Sequence, residues 1–249
     1  MLARLNADLD SRTGPRSKRT PDLQPSENTA DRIEKLMAGD GFRTWGLVIY
    51  RCTYKSDTDW NEFLRRVNFT VRRTLEEYNG LDMMDSYEPI VMEDKDFDGA
   101  ITSAIRDHFK QWVVTACERE QGIPWKLAQN AKSPRYNFCI MVDEEALQSV
   151  LSTSAPDNPT GHAEINKTAY VKLVNRKWPG YLAEYVDEEL AEIPDEDDHQ
   201  EPIEGCKLED VGWMKVLYDY VQLDATLGMH STDDWRVQYY RPPEVGFQF

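Results

Sequence analysis

The side chains best placed to do chemistry lie between Ile193 and Cys206, where Asp195, Glu196, Asp197, Asp198, Glu201 and Glu204 are crowded together. Clustered carboxylates can accept the paired hydrogen bonds of a guanidinium, hold or deprotonate an ammonium, and raise one another's pKa toward neutrality by repulsion. Pro194 and Pro202 bracket the run. Each disfavours helix for the residue before it, so these carboxylates read as lying on extended or turn-rich backbone. A solvated acidic loop is the ordinary fate of such a run. Here, however, the run passes straight into Pro202-Ile203-Glu204-Gly205-Cys206 and then into the apolar Val211-Gly212-Trp213-Met214-Lys215-Val216. An acidic loop held by packed elements can present its carboxylates to a ligand.

The same segment dominates the charge of the molecule. The 249 residues carry a net charge of −16, and the stretch from Glu184 to Asp210 alone contributes −12, with thirteen Asp and Glu against the single Lys207. The rest of the chain is close to neutral, so the overall acidity does not exclude a basic face toward a phosphate backbone. One such face is expected on a helix after Asp57, where Arg65 and Arg72, and likewise Arg66 and Arg73, recur after about two turns. Glu62, Glu76 and Glu77 could equally neutralise that face. Arg12, Arg16, Lys18 and Arg19 near the N-terminus could add phosphate contacts.

Other chemistry finds less support. Four cysteines form no CxxC pair, and Cys52, Cys117 and Cys139 sit among apolar or aromatic neighbours, as small buried hydrophobes of a reducing compartment do. The four histidines are scattered, and no metal site is expected. Asp94, Asp96 and Asp98 alternate before Gly99, but the full calcium-loop spacing is absent, so a helix-capping loop is the better reading. There is no glycine-rich phosphate loop, and no cofactor is implied. Arg135 and Tyr136 precede a strand and could line a pocket, whereas Trp45 and Trp213 read as core aromatics.

The elements that must position these groups follow from periodicity. Residues 1–28, with Pro15, Pro21 and Pro25 among polar neighbours, read as a flexible tail, and 29–249 as a single catalytic domain. A short helix is expected over Ala30 to Ala38, capped by Asn28 or Thr29. Trp45 to Cys52 is apolar throughout and reads as a strand buried on both faces. A helix from Ser56 or Asp57 to about Asn79 follows, with Trp60, Phe63, Val67, Val71 and Leu75 on one side. A strand over Glu88 to Met92, a long helix after Gly99, a strand over Tyr136 to Asp143, a helix over Glu144 to Leu151 and a strand over Ala169 to Val174 complete the core. A last helix is expected at Leu208 to Gln222. The order implies a mixed α and β fold with a central sheet of about four strands flanked by helices, as a small, partly parallel sheet or a ferredoxin-like arrangement. No apolar run opens the chain, and none reaches the roughly 18 residues of a membrane span, so a cytoplasmic protein is expected.

Asp197-Asp198-His199-Gln200-Glu201 resembles the DDxxE pattern of the fungal arginine-containing cyclodipeptide synthases, and Trp45 to Arg51 also looks like that group, over roughly residues 42–244. The resemblance implies an enzyme of secondary metabolism that joins arginine from arginyl-tRNA to a second amino acid from its own aminoacyl-tRNA, forming a 2,5-diketopiperazine. It implies essential roles for Asp197, Asp198 and Glu201, and no serine nucleophile need be assumed. On this reading Asp195 and Glu204 contact substrate, and Arg65, Arg66, Arg72 and Arg73 hold the RNA. Two rivals compete: a magnesium-dependent diphosphate enzyme of terpene type, whose aspartate-rich motif lies on helices, and an acidic interaction protein that engages a basic partner by charge alone.

Overall fold

A computed structural model of the chain describes residues 16–22, 26–156, 168–179 and 201–246. Asp195, Asp197, Asp198 and Arg12 lie outside the described residues.

The organising strand is β1 (Val48–Arg51), buried at every position. A strand apolar on both alternations must be covered on both faces. Leu47 and Ile49 meet Trp60, Phe63 and Val67 of α2 (Asp57–Glu77) on one side. Val48, Tyr50 and Cys52 meet Ile105, Phe109 and Val113 of α3 (Thr102–Gln121) on the other. Parallel neighbours require crossover connections, which these two long helices provide. They lead to β2 (Val91–Met92) and β3 (Phe138–Val142), both parallel to β1.

The sheet continues through β4 (Tyr170–Asn175), β5 (Trp213–Leu217) and β6 (Val245–Gly246) in the order β2-β1-β3-β4-β5-β6. β4 alone runs against the others, antiparallel to both β3 and β5. The fold is thus a six-stranded mixed α/β sheet covered by helices, larger than the four strands expected, and its parallel pairs do not form the ferredoxin-like alternative. Nor is it the all-helical scaffold that the terpene-type reading requires.

Two strands, β5 and β6, are additional, and β5 comes from a correction at the C-terminal side. The helix expected at Leu208 to Gln222 does not form; β5 occupies 213–217 and helix α6 starts only at Val221 (Val221–Gly228). Met214 and Val216 pack into the core shared with α2, while Trp213 faces the opposite core, and an extended chain is the only backbone that serves both. Pairing with β4 through Tyr170↔Leu217 to Val174↔Trp213 provides the hydrogen bonds. β2 is also shorter than the strand expected over Glu88 to Met92.

Helix ends follow their capping residues. α1 (Thr29–Asp40) starts on an Asn28/Asp31 capping box and stops at Gly41, at φ 70°. α2 is capped by Ser56, whose side chain accepts from the Asp59 amide. Asp94 caps a short 3-10 turn through the Asp96 amide, whereas the long helix that follows takes no side-chain cap from that aspartate series. α4 (Trp125–Ala128), α5 (Glu144–Leu151) and α7 (Thr232–Gln238) are short, and Asp143 caps α5.

Residues 16–22 are not a free tail. Ser17 and Thr20 are buried, Ser17 Oγ donates to Asp31 at 2.5 Å, and Arg19 bridges Asp31, Glu34 and Asp82 at 2.6–2.9 Å. The capping box of α1 therefore extends into the preceding segment, which composition alone marks as polar and unattached. Cys52, Cys117 and Cys139 are buried thiols, and Trp45 and Trp213 are core residues, as expected. Among the described residues no helix is long and apolar enough to cross a membrane.

Candidate functional site

The acidic segment belongs to the connection between β4 and β5, which are adjacent and antiparallel, so its two stems emerge side by side at one edge of the sheet. A tight set of contacts ties the stems together. Trp178 Nε1 donates to the Asp210 carbonyl at 2.9 Å. Arg106 of α3, 3% exposed, donates from Nε to the Asn175 carbonyl at 3.1 Å and from Nη2 to the Gly212 carbonyl at 3.1 Å, and stacks on Trp178 at 4.5 Å. It therefore grips the end of β4 and the start of β5 at once. Gly212, at φ +78°, makes this possible: a Cβ there would lie 2.5 Å from Trp178 Cγ and 2.6 Å from Arg106 Nη2.

The returning stem is held from the far side by the C-terminal region. Asp210 accepts from the Gly212 amide and from Trp235 Nε1, both at 2.7 Å, and burial raises its carboxyl pKa. Tyr239 accepts from the Val211 amide at 3.1 Å and donates to the Glu209 carbonyl at 3.0 Å. Arg241 donates to the carbonyls of Leu208, of Glu209, and of Glu201 at 2.8 Å. Glu201, exposed, thus stands on backbone held in place.

Glu204 has a different job from the substrate contact expected of it. Ile203 and Cys206 exchange two backbone hydrogen bonds of 2.9 Å across a tight turn, with Glu204 at φ 49° and Gly205 at φ 83°. This turn brings Glu204 Oε2 to the Thr102 amide at 3.0 Å and to Thr102 Oγ at 2.6 Å. α3 has no side-chain cap of its own, since Ile101 precedes it, so Glu204 caps it from a distant part of the sequence. Asp195, Asp197 and Asp198 belong to the same connection and lie outside the described residues.

The expected basic stripe on α2 is only partly a free face. Arg66 is buried, donating to the Val150 and Thr153 carbonyls at 2.8 and 3.0 Å and pairing with Glu62 at 2.8 Å. It anchors α2 to the end of α5, which corrects the RNA-binding role read for it. Arg65 pairs with the same Glu62 at 2.7 Å, and together the two arginines pull that carboxyl down to about 2. Arg73 pairs with Glu77 at 3.2 Å, and Arg72 is exposed. Arg135 is also spent internally, on Glu120 and on the carbonyls of Gly46 and Glu88, rather than on a pocket. No group of three residues suited to holding a metal occurs among the described residues.

No known protein family, curated protein or solved structure matches this chain. The site must therefore be judged on its own geometry. The residues that build it and that sequence reasoning passed over are Arg106, Trp178, Asp210, Gly212, Trp235, Tyr239 and Arg241. One had a visible signal: Arg106 lies three residues before Phe109 and seven before Val113, on the apolar stripe of its helix, where a charge demands a partner.

A second concentration of charge lies at the opposite edge, where β1 and β3 end. Lys172 and Lys215 face each other across β4 and β5 and pair with Asp143 at 2.7 Å and Glu145 at 3.1 Å. Like charges opposite one another destabilise a sheet, and these two carboxylates offset the repulsion. This cluster is internally balanced.

Proposed function

We propose that the chain is an arginine-containing cyclodipeptide synthase that uses arginyl-tRNA and a second aminoacyl-tRNA. Two amide bonds form and two ester bonds break: each α-amine attacks the ester carbonyl of the other aminoacyl group, and each tRNA leaves with its terminal hydroxyl restored. The esters are already activated, so no ATP is consumed, and the protein must position the amines and remove their protons. Asp197 and Asp198 are assigned to grip the arginyl moiety, Asp195 to assist, and Glu201 to act as base. What supports the reading, beside the DDxxE pattern, is the cross-pinning of the stems by Arg106, Asp210 and Arg241, which restrains the points from which those carboxylates are presented.

The deciding experiment incubates the protein with a complete aminoacylation mixture and looks by mass spectrometry for arginine-containing cyclic dipeptides, with ribonuclease as control. Product that disappears with ribonuclease is expected, and Asp198→Asn should lower its rate by about 100-fold or more, the scale on which general acid–base groups act. An undiminished rate would remove Asp198 from the chemistry.

A further inference from the structure

Arg19 fills a socket built by two other parts of the chain. Its Nη1 donates to Asp31 at 2.8 Å and to Glu34 at 2.9 Å, both on α1. Its Nη2 and Nε donate to the two carboxylate oxygens of Asp82, on the 3-10 turn after α2, at 2.6 and 3.4 Å. All three nitrogens of the guanidinium are therefore engaged, one edge as a fork on a single carboxylate. A lysine ammonium is a single point of charge and cannot reproduce this planar pattern, so the socket selects arginine by shape as well as by charge. Arg19 is thereby withdrawn from the phosphate contact expected of the basic N-terminal residues.

The socket requires a cation. Burial by itself raises the Asp31 carboxyl, and the hydrogen bonds from Ser17 and Arg19 reverse this and hold it below its usual range. Arg19 does the same to Asp82 through the fork. The outer wall is open, since Glu34 and Asp82 are 56% and 58% exposed, so another guanidinium has a way in. The segment that carries Arg19 is fastened by hydrogen bonds and ion pairs. Within 16–22 the buried side chains are Ser17 and Thr20, both polar, and Pro21 is exposed. Asn28 Nδ2 donates to Ser17 Oγ and Thr20 Oγ1 at 3.1 and 2.9 Å, and Asn79 Nδ2 donates to the Arg19 carbonyl at 3.2 Å. Hydrophobic burial, the force that fixes most elements to a core, contributes little to this attachment. Each of its hydrogen bonds replaces one to water at a small net gain, so the segment is exchangeable for a competitor that offers the same groups.

We infer that Asp31, Glu34 and Asp82 form a binding site for arginine side chains, that residues 16–20 are a latch seated in it by Arg19, and that an arginine-bearing peptide lifts the latch by taking its place. The socket shares no residue with the acidic segment at 195–201, so it stands or falls apart from the synthase reading.

The test uses the full chain and a synthetic peptide of residues 16–22, with a second peptide in which citrulline, the neutral isostere of arginine, replaces Arg19. The Arg19→Ala chain should bind the first peptide about tenfold or more tightly than the wild-type chain does, and the citrulline peptide should lose about tenfold of that affinity. A second measurement needs no variant and decides the matter if Arg19→Ala fails to fold. In the wild-type chain the amides of Arg19 and Thr20 donate to Ser17 Oγ, and their NMR signals should move on titration with L-arginine amide and stay in place with L-lysine amide at the same concentration. The inference is overturned if the folded Arg19→Ala chain does not bind the peptide, if the arginine and citrulline peptides bind equally, or if the two amides act alike on the wild-type signals.

Discussion

At the scale of single residues, Gly212 lies at a crossing of Trp178, Arg106 and its own left-handed backbone, with no room for a side chain. Gly212→Ala should therefore force Trp178 or Arg106 aside. A loss of about 1–3 kcal/mol in chemical denaturation is expected, with a larger loss of product formation than the stability change explains. Equal losses at Gly99, where a Cβ meets nothing within 4 Å, would show that backbone strain alone is responsible. Asp224 of α6 offers a second test. Burial, repulsion from Asp219 and only partial relief from Arg32 raise its carboxyl from 3.8 to about 6. The folded state thus binds this proton more tightly than the unfolded chain does. Its contribution favours folding below about 3.8 and is lost as pH rises through about 6. Asp224→Asn should stabilise the protein by on the order of 1–2 kcal/mol at pH 7, after discounting for partial exposure, and by nothing near pH 3.5. Melting curves at the two pH values measure it, and an equal gain at both would refute the electrostatic cause.

At the scale of elements, α2 shows why a charge pattern does not by itself define a surface. Arg65, Arg66, Arg72 and Arg73 share a spacing, yet Arg66 is turned inward to the carbonyls at the end of α5 while Arg72 faces solvent. Arg66→Ala should cost about 2–3 kcal/mol, because two carbonyls lose a donor and Glu62 loses one of its two arginines. Arg72→Glu should leave the thermal midpoint within about 2 °C. If the outer face of α2 holds RNA, Arg72→Glu with Arg73→Glu lowers tRNA affinity and flattens its dependence on salt, and a filter-binding series at several salt concentrations reads both. α3 carries the complementary lesson. Its first turn is capped by Glu204, about a hundred positions away, and its second turn grips both stems through Arg106. Glu204→Gln keeps the Thr102 contacts in part but removes the charge from the helix terminus. A small loss of stability, about 0.5–1 kcal/mol, and unchanged substrate affinity are expected, which distinguishes a capping role from a substrate ligand.

At the scale of the whole molecule, the sheet brings the two ends of a long, acidic connection together at one end of β4 and β5. Scrambling 195–201 at constant composition should abolish product if these carboxylates have individual roles, and would leave activity intact if only their summed charge mattered. Much of the frame was legible in the chain. The apolar runs of β1 and β3 had to be buried on both faces, and the 3.6-residue periodicity of α2 was plain, as were the Asn28 and Ser56 caps. These are local properties, set by side-chain size and spacing within a few turns. β5 was not legible, because Trp213 to Leu217 has no helical or strand preference strong enough to outweigh its surroundings, and it becomes a strand only by pairing with β4. The acidic pattern and its prolines announced a site. The grip of Arg106 on both stems and the inward turn of Arg66 were decided by the tertiary structure, since each joins residues far apart in sequence whose proximity depends on the assembled sheet and its helices.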